Sequence, residues 1–237
     1  MKTVVTFFRS SLGKKCIMAI TGLGLFVFVI GHMAGNLQIF LGPDRINSYA
    51  VFLKSKPGLL WTARIGLLLM AALHIGSAIQ LARINRLARP SPYGNHKVVA
   101  ASYASRTMLM SGLIVFAFII YHLLHFTLAI PEVNLLSKSP DFPHANFLDL
   151  RDATGRPDVF RMMVRGFSNP FVSGFYVMAM GLLCLHLSHG LSSMFQSFGL
   201  KNRRIGWLLD SFAILSAGLI FIGNCSIPIA VLLGYGK

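Results

Sequence analysis

Five long apolar runs, separated by short polar stretches, dominate the chain. The first extends from about Cys16 to Phe40 and stops at Gly42-Pro43. The second covers about Leu60–Ala82, and the third about Thr107–Ile130, closed by Pro131. The fourth covers about Phe171–Phe198 and the fifth about Ile205–Leu233. About 20 residues rising 1.5 Å each cross a hydrocarbon core of ~30 Å. In lipid every backbone N–H and C=O must be bonded internally, so runs this long predict helices rather than barrel strands. Pro228 lies inside the fifth run and predicts a kink at its far end. The longest connection, about residues 131–168, separates runs three and four. No low-complexity stretch and no internal repeat stands out. The pattern predicts an all-α integral membrane protein, a five-transmembrane-helix bundle forming one membrane domain over residues 1–237.

Composition narrows the class. Of 237 residues 54% are hydrophobic and only 12% charged, with a mean hydropathy of +0.65. Soluble domains carry about a quarter charged residues, so a soluble enzyme, a disordered regulator and a disulfide scaffold are excluded. The net charge of +15 would suit nucleic acid only on a polar basic face. Here the basic residues punctuate apolar runs, as topology signals do, and the partner they imply is a lipid bilayer. Cys16, Cys184 and Cys225 sit in separate apolar runs without C-x-x-C spacing and read as packing residues. The apolar run after Met1–Lys15 is too long for a signal-peptide core and lacks an A-x-A site, so it is expected to be retained.

Charge also sets orientation. The N-terminus and the loops after runs two and four hold Lys2, Arg9, Lys14, Lys15, Arg83, Arg86, Arg89, Lys97, Arg106, Lys201, Arg203 and Arg204 against the single acid Asp210, a balance of +11. The opposite side carries ten basic and six acidic residues, a balance of +4. The positive-inside rule then predicts a cytoplasmic N-terminus and an external C-terminus. The connection from Glu132 to Arg165 becomes an external cap holding five of the seven acids.

Six of the eight histidines fall within the runs: His32, His74, His122, His125, His186 and His189. His96 and His144 lie in loops and read as surface residues. Ionisable groups inside a membrane are costly and usually functional. One histidine in a helix is most simply a hydrogen-bonded core residue. Four helices carrying one each would need four separate polar solutions. At 1.5 Å per residue, His32 and His122 stand ~23–24 Å up two rising spans. His74 and His186, on descending spans, stand ~7–9 Å above the cytoplasmic boundary of a ~30 Å core. Two pairs at two depths, roughly 15 Å apart, suit two flat metallocycles held by bis-histidine ligation. A six-coordinate bis-His haem has no open iron position, so it carries electrons. Zinc would want three or four ligands at one height, and a proton relay would want polar steps between the histidines. Gly31, Gly35, Gly76 and Gly190 flank the candidates, either as room for a macrocycle or as ordinary small-residue helix packing.

Four stretches now carry a family resemblance: GHMAGNLQIFLGP around His32, ALHIG at His74, SGLIVFAFIIYH ending at His122, and GFYVMAMGLLCLHLSHGL around His186. In this order, on four helices of alternating direction, the chain resembles the cytochrome b membrane subunit of succinate dehydrogenases and fumarate reductases, in its five-helix, two-haem, single-subunit form. The resemblance implies His32, His74, His122 and His186 as axial ligands of two haem b irons, His32 with His122 outside and His74 with His186 inside. It implies a flavoprotein subunit and an iron–sulfur subunit on the cytoplasmic side of a bacterial cytoplasmic membrane. Electrons would pass from the inner haem to the outer one and on to a quinone, menaquinone in this branch.

A quinone at the outer end would meet Asn36, Gln38 or His125, whose ordinary reading is capping or loop packing. His189 would face a haem propionate or the partner subunit, or serve as polar packing. One departure is plain. Some relatives carry a glutamate two residues before the fourth-helix ligand as part of a proton path; here Cys184 stands there, and the only glutamate is Glu132. Two other readings stay open: the cytochrome b anchor of a hydrogenase, formate dehydrogenase or nitrate reductase, and a histidine-lined transporter.

Overall fold

A computed structural model describes residues 10–88 and 103–236. Lys2, Arg9, Arg89, Lys97 and His96, used in the charge and histidine arguments, lie outside the described residues. Among those described, the chain is helical without a named strand. Helix α1 (Ser11–Asn36) tightens into a 3-10 turn at Leu37–Leu41. Gly42 ends it with φ +95°, a conformation that side-chain-bearing residues rarely adopt. Pro43, its φ already helical, opens α2 (Pro43–Lys54). Then come α3 (Pro57–Leu87), the short α4 (Tyr103–Arg106) and α5 (Met108–His122). A π-turn over Leu123–Thr127 extends α5, with the Leu128 N–H reaching back five residues to the Leu123 carbonyl at 2.8 Å. Helices α6 (Val159–Phe167), α7 (Pro170–Ser197) and α8 (Gly206–Leu232) complete the chain.

Among the described residues, five segments are long and apolar enough to cross a membrane: Ser11–Leu41, Pro57–Leu87, Met108–Thr127, Pro170–Ser197 and Gly206–Leu232. The first begins about five residues before the apolar run, and the second overruns its run at both ends. Lys14, Lys15, Arg83 and Arg86 belong to these helices because long basic side chains lay their stems along apolar surface and keep their charge in the headgroup region. The last helix continues through Pro228. Leu68, Leu215, Leu219 and Ile222 are each more than 60% exposed, the reverse of a soluble surface and the expected face toward lipid.

The chain divides into two compact units. One comprises Met1–Phe28, Ala63–Leu113 and Cys184–Gly218; the other comprises Val29–Thr62, Ile114–Leu183 and Leu219–Lys237. In the first unit Ala213 and Ala217, one turn apart on α8, are fully buried, as close helix approach requires. Its acid, Asp210, accepts from Lys201 Nζ and Ser192 Oγ, both at 2.6 Å. The second unit builds its core from Ile39, Ile46, Phe118, Phe167, Tyr176 and Val231.

The connection before α7 is more structured than its polarity suggests. Asp158 caps α6 by accepting from the Arg161 N–H, and α6 buries Met163, Val164, Gly166 and Phe167. Asn47 of α2, 1% exposed, donates to Asp152 and Asp158 and accepts the Phe160 N–H. Arg156 joins Asp44, Asp152 and Ser48 at 2.8 Å each.

These ties are sensitive to acid. Hydrogen bonds from Ser139 and Arg165 hold the Asp141 carboxyl down to about 2. Bonds from Thr154 and Arg156 hold Asp152 below the usual carboxylate range. A carboxylate depressed in the folded state contributes its stability above its unfolded value of about 3.9 and loses it as pH falls toward the folded value. Amide hydrogen exchange over residues 139–158, corrected for intrinsic rate, is therefore expected to stay flat from pH 8 to 5 and to accelerate only below about pH 4.

Candidate cofactor site: two histidine pairs

Each compact unit holds one contact between histidine rings from two different helices. In the first unit His74 of α3 and His186 of α7 have ring centres 6.4 Å apart at 65°. In the second His32 of α1 and His122 of α5 have ring centres 5.7 Å apart at 85°. A metal–imidazole bond is about 2.0–2.1 Å and a ring nitrogen lies about 1.2 Å from its ring centre, so two imidazoles on opposite sides of one metal have centres about 6.4 Å apart. The first pair matches that spacing, and the second would have to open by about 0.7 Å to admit a metal. His32 is exposed, and His74, His122 and His186 are half-buried.

The first pair is held in a defined protonation pattern. His74 Nδ1 lies 3.0 Å from the Met18 carbonyl, which can only accept, so Nδ1 carries the proton. Thr21 Oγ1 donates to the Ile17 carbonyl at 2.7 Å and stands 3.3 Å from the same Nδ1 as a second acceptor. Ser111 Oγ likewise donates to the Met108 carbonyl and lies 3.3 Å from His186 Nδ1. With its hydroxyl proton committed, Ser111 accepts from Nδ1–H. In both rings Nε2 is then the bare lone pair. Hydrogen bonding at one ring nitrogen to set the other for a metal is the usual outer-shell arrangement of metal-bound histidine.

A glycine follows each hydroxyl residue. A Cβ at Gly22 would sit 3.1 Å from His74 Cε1, and one at Gly112 would sit 3.2 Å from His186 Cε1. These two let the rings approach the neighbouring helix. The glycines flagged from sequence behave differently: a Cβ at Gly31, Gly76 or Gly190 meets nothing within 4 Å, and Gly35 faces the Tyr49 ring at 2.9 Å.

The second pair is anchored less symmetrically. Asn36 Nδ2 donates to His32 Nε2 at 3.1 Å from one turn along α1, occupying the lone pair that a metal would take. Gln38 lies in the 3-10 turn that follows. His122 Nδ1 is 3.3 Å from the Tyr176 hydroxyl, which also lies 2.8 Å from His125 Nδ1. His125 is 1% exposed, enclosed by Phe126, Phe147 and Phe167. That burial sets it apart from Asn36 and Gln38, which keep open surface. His189, in the first unit, pairs through Nε2 with Ser193 Oγ at 3.0 Å.

Sequence reasoning missed Tyr176, Thr21, Ser111, Gly22 and Gly112. One signal was available: Thr21-Gly22 precedes His32, and Ser111-Gly112 precedes His122, by the same eleven residues. Eleven residues are about three helical turns, which places hydroxyl and histidine on one face of each helix, with the glycine about a quarter-turn to the side.

The fold defines a multi-pass helical membrane protein, and two contacts between histidine rings lie on its apolar helices. Comparison with protein-family models, with curated proteins and with solved structures found no match.

Proposed function

We propose that this chain is the di-haem cytochrome b membrane anchor of a succinate:quinone oxidoreductase, set in a bacterial cytoplasmic membrane with its N-terminus inside and C-terminus outside. The observation that carries the reading is the first histidine pair, where both Nδ1 protons are spent on fixed acceptors and both Nε2 lone pairs are left for one metal. His74 with His186 would hold the inner haem b, and His32 with His122 the outer one. Bis-imidazole haem supplies one-electron transfer without an open iron position for oxygen chemistry. The chain's own work is to fix four imidazole orientations, to exclude water with apolar helices and to dock partners. A flavoprotein and an iron–sulfur subunit would sit on the basic cytoplasmic side, where a +11 charge balance faces them.

On this reading menaquinone is the electron acceptor, met by Asn36 and Gln38 at the outer end. The Asn36 amide, which meets His32 Nε2 at 3.1 Å, would have to give up that bond for His32 to serve as a ligand and could then donate to a quinone carbonyl. His125, sealed by aromatic rings, acts on that end only through its neighbours. An electron moving outward between sites at two depths works against or with the membrane field, worth about 2.3 kcal/mol per charge per 100 mV for the full transit.

A reduced-minus-oxidised optical spectrum of the purified chain tests the proposal. The expected result is b-type bands equivalent to two haems per chain. A chain without such bands overturns the reading and favours a histidine-lined transporter. Identification of the co-purifying soluble subunits then separates a succinate dehydrogenase from a hydrogenase, formate dehydrogenase or nitrate reductase.

A further inference from the structure

Tyr176 is placed between two histidines that lie on one distorted turn. Its hydroxyl stands 2.8 Å from His125 Nδ1 and 3.3 Å from His122 Nδ1. His122 is the last residue of α5, and His125 lies within the π-turn that follows. Such single wide turns recur at functional positions in helices; here one lets both rings reach the same oxygen. Tyr176 is 6% exposed and His125 1%, so the shorter of these bonds is enclosed by protein, while His122 is half-buried.

A phenol has one proton to give. Two hydrogen-bond directions are possible, and they have opposite consequences. If Tyr176 donates to His122, the proton of neutral His122 sits on Nε2 and no lone pair remains there for a metal. If Tyr176 donates to His125, it accepts from His122 Nδ1–H, and His122 Nε2 is bare. The shorter bond runs to His125, the direction that suits a ligand.

We propose that Tyr176 and His125 are positioning residues for His122: the phenol O–H donates its hydrogen bond to His125 Nδ1 and accepts one from His122 Nδ1–H, which fixes His122 in the protonation pattern that presents Nε2. This rests on the reading of His122 as a haem ligand and assigns His125 a role other than quinone contact. Neighbouring elements hold the arrangement. Phe126 lies 4.0 Å from the His125 ring centre, and α6 seats against both rings at Gly166, where a Cβ would meet Phe126 at 2.6 Å and His125 Nε2 at 3.3 Å. Tyr176 thus does at the second pair what Ser111 does for His186, with a second histidine taking the place of a backbone carbonyl as the acceptor that commits the hydroxyl.

The test is a potentiometric titration of the intact complex, followed optically and by the low-temperature magnetic resonance of each ferric haem. Loss of an outer-shell partner typically changes metal affinity or activity by 10–100-fold. A hydrogen bond accepted from Nδ1–H makes the imidazole a stronger donor and favours ferric over ferrous iron. A tenfold change in that preference is about 59 mV for one electron. Tyr176→Phe is expected to raise the potential of the outer haem by about that much and leave the inner haem unchanged. His125→Phe, which frees the phenol to turn toward His122, is expected to do the same. His125→Asn returns an acceptor near Nδ1 and is expected to restore most of the potential. Unaltered potentials and resonances of both haems in Tyr176→Phe and His125→Phe overturn the proposal. Should Tyr176→Phe fail to fold, the contrast between His125→Phe and His125→Asn decides alone, and equal spectra from those two also overturn it. Absence of b-type bands in the unaltered chain is a different failure, that of the parent reading.

Discussion

On the proposed di-haem reading, a His186→Ala chain is expected to purify with about one haem instead of two and to lose the haem that succinate reduces first. His74 alone would keep its Nδ1 bond to Met18 but have no partner across the metal. The neighbouring His189 is the one side chain placed to substitute, three residues along α7, and its Nε2 is engaged with Ser193 at 3.0 Å. A His186→Ala/His189→Ala double variant removes that escape. His122→Ala is expected to do the reverse: lose the outer haem, retain the inner one, and leave its reduction by succinate intact while quinone reduction stops. Haem counting by the pyridine adduct and succinate-driven reduction spectra read both results. Loss of the first-reduced haem in the His122 variant would reverse the assignment of inner and outer pairs.

Widening the helix contacts beside the first pair should be nearly as damaging without touching a ligand. Gly22→Val and Gly112→Val each add a branched side chain where even a single Cβ lies 3.1–3.2 Å from an imidazole carbon. The ring must swing away, and for His74 that breaks the 3.0 Å bond to the Met18 carbonyl. A 10–100-fold fall in affinity for the inner haem is expected, with the outer haem retained. Gly66→Ala, where a Cβ meets nothing within 4 Å, serves as the control of unchanged content. Equal haem content in all three variants would mean that the glycines matter only for general packing.

The long helices were legible because hydropathy over twenty residues is a bulk property that no single contact can override. The grouping of His32 with His122 and of His74 with His186 follows from rise per residue alone, and the two ring contacts join those same residues. What stayed hidden depends on partners distant in sequence. Helices α2 and α6 sit in polar connections, and their apolar faces make sense only once Asn47 is seen bonding across to Asp158 and Phe160. Tyr176 looked like one more aromatic in an apolar run, since nothing local marks a phenol that meets two imidazoles from α5. The glycines that touch the rings stayed hidden for a related reason. A residue adjacent to a histidine in sequence points elsewhere on the helix, whereas the glycines that touch the rings belong to the neighbouring helix. His125 was read by depth, and depth carries no information about the aromatic lid above it.

The hydroxyl–glycine pairs have an architectural consequence. Thr21, Gly22 and His32 correspond one for one, at equal spacing, to Ser111, Gly112 and His122. Across each hairpin, His74 then corresponds to His186. Under this correspondence each histidine pair joins two equivalent positions, and the two pairs differ in what holds them. In the first, a hydroxyl from a neighbouring helix lies 3.3 Å from each Nδ1. In the second, His32 meets Asn36 of its own helix through Nε2 and His122 meets Tyr176 through Nδ1, so equivalent positions give matched imidazole settings in one pair and unequal ones in the other.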